Sequence, residues 1–223
     1  MEGKNPFNNL SAARVVASIF GILSGLGSIT HGVGETLQGN VTPEGIVVNS
    51  WTQGPIATKM GGEPAMTIVP NLLVAGLLTI IVSLVAIVWS AIFVQRKNGG
   101  LILILLSIAM LLVGGGFAPP IIGVLAGVAG LGINAPYAWW RTHFPVNIRR
   151  FLAQLWPWLL GACVINGVFL VVGSVILVYF FGINNPDLFV NSFFFAILSL
   201  LLTIITGVAY DLQAGERGGG IQD

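Results

Sequence analysis

LILILLSIAMLLVGGGFAPPIIGVLAGVAGLGIN, residues 101–134, decides the fold, because the number of times it crosses a bilayer fixes which other loops share a compartment. As one helix it would be about 51 Å long, well beyond a hydrocarbon core of about 30 Å. It would also enclose Gly114-Gly115-Gly116 and Pro119-Pro120. Interior proline costs about 3 kcal/mol and interior glycine about 1 kcal/mol relative to alanine, so one helix should end at this cluster and another begin with proline in its first turn. The two halves, residues 101–117 and 119–134, are about 24 to 26 Å long, short for a span but tolerated through bilayer thinning or snorkelling.

Lys and Arg concentrate in short cytoplasmic loops, which gives an independent test of the break. With one crossing here, Lys4, Arg14, Arg96 and Lys97 face Lys59, Arg141, Arg149, Arg150 and Arg217 across the membrane, and there is no bias. With an out-and-back path, all but Lys59 fall on one side. Two complete short spans and a re-entrant hairpin both return the chain to that side; two spans are the reading adopted, with the hairpin as the alternative.

The rest of the chain fits a membrane solvent. Apolar residues make up 55% and charged residues 8% of the sequence, with a mean hydropathy of +0.92, against about 25% charged in an ordinary soluble domain. In lipid only helices or closed barrels satisfy the backbone, and the runs here are continuous and do not alternate as barrel strands do. The expected fold is therefore an all-α integral membrane protein of the cell membrane, a single bundle of six spans with both termini cytoplasmic. The spans fall at about 12–33, 68–94, 101–117, 119–134, 156–181 and 189–210, with an outer loop over 40–67 and an inner interfacial segment over 135–151. A formal net charge of +1 gives no reason to expect a nucleic-acid partner.

Small residues mark packing faces. Gly21, Gly25, Ser28 and Gly32 repeat at helical spacing in the first span, and Gly123, Gly127 and Gly130 do so in the fourth. Such stripes let a neighbouring helix or an oligomer partner approach closely. In the inner segment, Arg141, Arg149 and Arg150 lie among Tyr137, Trp139, Trp140 and Phe144, a combination that fits anionic lipid headgroups.

Candidate chemistry is sparse. His31 and Glu35 stand four apart on one helical face, and ionisable residues within spans are functional candidates by default. At roughly 28 Å above Ala12, His31 sits near the outer boundary and Glu35 at or beyond it. The pair reads either as an interfacial loop anchor or as a proton or cation site. In the second case Asn71, Asn184, Asn185, Asp187 and Gly115 of the broken stretch would join it around an outward-facing vestibule. Phosphate loops, dinucleotide fingerprints and zinc spacings are missing from the sequence, so no cofactor or metal is expected and an enzyme is the lesser expectation. The leading expectation is a transport or permeation protein for a small molecule or ion. The alternatives are an accessory subunit of a membrane complex and a lipid-modifying enzyme.

Overall fold

The computed structural model describes residues 11–60, 62–135, 137–183 and 185–219; Lys4, Asn184 and the side chain of Arg217 lie outside the described residues. Its described part is mostly helical, with loops between the helices and one two-stranded antiparallel ladder. Four of the helices are long and apolar enough to cross a membrane: Ala12–Gln38, Leu72–Phe93, Val146–Phe181 and Pro186–Glu216.

Helix α1 (Ala12–Gln38) is the axis of the molecule. Ser11 caps it by accepting from Arg14 N at 3.2 Å, as Ser and Thr do at helix starts. Within its apolar window 56% of residues are buried, against 17% for the helix that begins at Val146. We call the Ala12 end of α1 lower and the Gln38 end upper.

The chain then builds a cap of short elements: β1 (Val47–Asn49), α2 (Gly54–Met60) and β2 (Pro64–Met66). The strands pair in antiparallel register, Val48 opposite Ala65. Thr67 and Ile68 extend the pairing onto the top of the fourth helix, where Ile68 N donates to Leu112 O at 2.9 Å. The cap is thereby tied to two helices and lies across the upper end of α1.

Helix α3 (Leu72–Val88) descends beside α1 and finishes in a π turn over Trp89–Phe93. Gly25 of α1 lies against Ile87, and Gly32 against the backbone of Gly76. A Cβ on either glycine would collide, which is why the small-residue stripe allows so close a crossing. Asn98 turns the chain in the left-handed region, φ 62°, and α4 (Gly99–Val113) climbs again.

The stretch 101–134 is broken where its glycines and prolines lie. After α4 the chain passes through Gly114, φ 124°, and Gly116, φ 79°, conformations that favour glycine. Then α5 (Ala118–Leu131) descends with proline in its first turn. The two helices form an antiparallel hairpin along α1, with Gly114 beside Glu35 at the top and Gly130 beside Ala17 at the bottom. The second glycine stripe serves this hairpin: Gly123 sits against Ser107 of α4 and Ser24 of α1, and Gly127 against Ile104 and Gly100. Gly21, Gly25, Gly123 and Gly127 are thus enclosed by the chain's own helices, the helix-packing role expected of them.

Helix α6 (Ala138–His143) is short, and α7 (Val146–Val168) starts ten residues before the expected span, with Pro157 inside it. After a second π turn (Phe169–Gly173) the helix continues as α8 (Ser174–Phe181). The last helix, α9 (Pro186–Gly219), descends beside it and carries helix past the expected end near residue 210. Asn166 Nδ2 donates to Ser192 O at 2.9 Å between them, the interhelical role typical of amides in spans. α7 and α9 pack chiefly on each other and touch α1 and α5 more sparingly. The lower half of the interior is filled by Val16, Phe20, Leu103, Cys163 and Leu200 among others.

Candidate functional site

The upper end of α1 holds a polar cluster that a membrane helix would ordinarily avoid. His31 and Glu35 share one face, as their spacing requires, and the cap folds over them, so that Glu35 is fully buried and His31 is 6% exposed. Its helical register puts Glu35 at or beyond the membrane boundary. It is enclosed because the carbonyl of Ser50 and the ring of Trp51 pack onto Gly34, bringing the loop down onto the helix.

Two loop residues complete the cluster. Ser50 N donates to Glu63 O at 2.9 Å, which sets their side chains together. Ser50 Oγ lies 2.9 Å from His31 Nδ1 and donates to Glu35 Oε1 at 3.5 Å. On the other side of the ring His31 Nε2 faces Glu63 Oε2 at 3.6 Å. Glu35 Oε2 and Glu63 Oε2 are both buried without a hydrogen-bond partner. An unsatisfied buried acceptor costs about 1–3 kcal/mol, more when charged. Burial pushes the Glu63 carboxyl up to about 7, since the charged form is the one that loses hydration.

The glycine break forms the floor of this cluster. A Cβ at Gly114 would fall 2.1 Å from Glu35 Oε2, and one at Gly116 would fall 2.3 Å from His31 Nε2. Gly115 contributes its carbonyl, which accepts from Ser28 Oγ at 3.0 Å. Gly114 and Gly116 therefore admit the two ionisable side chains into space that a Cβ would occupy.

Below His31 and Glu63 a cavity of about 440 Å³ runs down between α1, α5, the π turn of α7 and α9. Its wall is mostly apolar, with Leu23, Ile122, Val171 and Phe193 among its residues, and Phe20 and Leu200 at its lower end. A volume of this size with a few convergent polar groups is typical of small-molecule sites.

Of the residues expected at a vestibule, the structure brings together His31, Glu35 and Gly115. Asn71 instead caps α3, accepting from Val74 N at 3.1 Å and donating to Asn40 Oδ1. Asn185 starts α9 by accepting from Leu188 N at 3.1 Å, and is exposed. Neither lines the cavity. Ser50, Glu63 and the walls supplied by α7 and α9 were missed; the only trace of them in the sequence was an outer loop too long for a simple connection. Of the proposed lipid-binding arginines, Arg141 and Arg150 are exposed, whereas Arg149 is buried and bonded to Glu216 at 2.7 Å. Arg149 is therefore committed to α9 and not to a headgroup.

Among the described residues no group of three or more His, Cys, Asp or Glu side chains is placed to share a metal ion. The sequence matches no family model, and neither a curated protein nor a solved structure is similar to it.

Proposed function

We propose that the chain is a six-crossing protein of the cell membrane that carries a small amphiphilic molecule through an outward-facing site at the upper end of α1. The observation behind this reading is the coincidence of an apolar cavity with a buried cluster of His31, Glu35, Ser50 and Glu63 at its upper end. A polar head and an apolar body match those two environments.

Six crossings are supported by the reach of the α4–α5 hairpin. It runs beside α1 from the level of Ala17 to that of Glu35, about 27 Å of helix. Arg14, Arg96, Lys97, Arg141, Arg149 and Arg150 belong to the lower ends of their elements and Lys59 to the cap, so the lower end is cytoplasmic by the positive-inside rule. Cysteine labelling in a Cys163→Ala background checks this: Glu44→Cys should react only from outside, and Asn98→Cys and His143→Cys only from inside.

An inorganic ion is a poor fit to the cavity, because a wall of hydrocarbon offers nothing to replace its water. The α7–α9 pair is the element that would move, since it packs on itself more than on the body. Transport is tested in liposomes holding tail-labelled NBD amphiphiles with cationic, neutral or anionic heads. With the protein present, dithionite should bleach at least one of them past the outer-leaflet share, while rubidium efflux stays at the level of empty vesicles. Bleaching that stops at the outer-leaflet share for every head overturns the reading.

A further inference from the structure

The hydrogen-bond polarity of the cluster restricts what the cavity can hold. Ser50 has one hydroxyl proton and directs it at Glu35 Oε1. Ser50 Oγ then serves His31 Nδ1 as an acceptor in the tautomer that carries the imidazole proton on Nδ1, and in that tautomer Nε2 presents a lone pair. That lone pair faces Glu63 Oε2 across 3.6 Å, and the carboxylate oxygen has no other partner. Once the Glu63 carboxyl has lost its proton, above about pH 7, two acceptors thus look at one another over a gap too long for a hydrogen bond between them. Both residues line the cavity.

The missing element is a donor with positive charge, and we propose that the occupant is a single-chain lipophilic amine whose ammonium sits between Glu63 and His31. An ammonium supplies three N–H donors, enough to serve both acceptors at once. A hydroxyl brings one donor and no charge, while a carboxylate or phosphate adds a further acceptor and a like charge. The chain has a matching bed: from His31 down to Phe20 the cavity follows α1 for roughly 16 Å, the length of an extended alkyl chain of roughly twelve carbons. Its rim includes Val190 and Phe194 of α9, which are 52% and 64% exposed. The opening is therefore toward the lipid-facing side of the bundle, and the amine reaches the site from the bilayer.

This inference rests on the cavity being a small-molecule site, and the two can fail separately. The full chain in nanodiscs, with empty nanodiscs as blanks, is titrated with radiolabelled dodecylamine, dodecanol and dodecanoate. Dodecylamine should bind saturably and about tenfold or more tighter than dodecanol. Glu63→Gln should lose that preference, and Glu44→Gln in the exposed part of the loop should keep it. Equal binding of amine and alcohol, or a full preference retained in Glu63→Gln, overturns the amine assignment and leaves the cavity reading standing. Saturable binding of none of the three overturns both. If Glu63→Gln fails to fold, the comparison of the three ligands on the unaltered protein decides alone.

Discussion

Carboxylates wholly or partly withdrawn from solvent stand at both ends of the helix stack, and their surroundings differ in one respect. At the lower end Asp211 of α9 accepts from Ala12 N at 2.5 Å and Ala13 N at 3.1 Å, the free amides of the first turn of α1. The Arg149 guanidinium beneath the same bundle is bonded to Glu216. At the upper end Glu35 and Glu63 each keep an oxygen with no donor. The unpartnered atoms of the lower end, Gln95 Oε1, Arg149 Nε and Trp156 Nε1, carry no negative charge. Burial alone therefore does not distinguish a site from a fastening. What distinguishes them is whether the buried charge already has its donors: Asp211 does, and helix ends are stabilised by such a carboxylate, while the His31 cluster is an arrangement of acceptors around an opening.

The contrast can be broken most severely at Gly116. A Cβ there would meet His31 Nε2 at 2.3 Å in a backbone held at φ 79°, so Gly116→Ala should cost about 3 kcal/mol through crowding and left-handed strain. Denaturant unfolding in micelles measures it, and a loss near zero would mean that the floor of the cluster is loose. At the lower end Asp211→Ala should cost about 1–2 kcal/mol, because two amides of α1 lose their acceptor. Dodecylamine affinity should stay within about twofold of the unaltered protein; a larger change would show that the two ends are coupled.

The next effect is a slope with pH. The Glu63 carboxyl rises from 4.5 to about 7 in the folded cap, so the folded state holds its proton more tightly. The corresponding stability is fully present below about 4.5 and is lost as pH climbs through about 7. The groups facing it are His31 across 3.6 Å and, beyond Ser50, Glu35. The melting temperature should fall by a few degrees over that interval, and Glu63→Gln should remove that part of the fall; parallel curves for the two proteins would refute it. The smallest effect belongs to Glu216→Ala. Glu216 is half exposed, so the loss of its pair with Arg149 should stay under about 1 kcal/mol by thermal melt.

These regions were legible in the sequence to different degrees, for physical reasons. The break at 114–120 could be read because glycine and proline act on the backbone locally, whatever surrounds them. His31 and Glu35 could be paired because helical spacing alone puts them on one face. Ser50 and Glu63 could not, since their approach depends on a loop folding over a helix and follows no period. The start of α7 was not legible, since an expected span from about 156 says nothing of the ten helical residues before it; Pro157 lies inside a helix that begins at Val146. The cavity was invisible for a simpler reason: Val171 and Phe193 read as ordinary lipid-facing residues until α7 and α9 are set beside α1. The glycine stripes announced close packing correctly but not with which partners.

The bond from Ala12 to Asp211 joins residues 199 positions apart, which has a consequence for how the protein is made. When α1 leaves the ribosome, the residue that will accept its leading amides has not been translated. The lower end of α1 is sealed only when α9 arrives, so this contact waits on a residue made long after α1 itself.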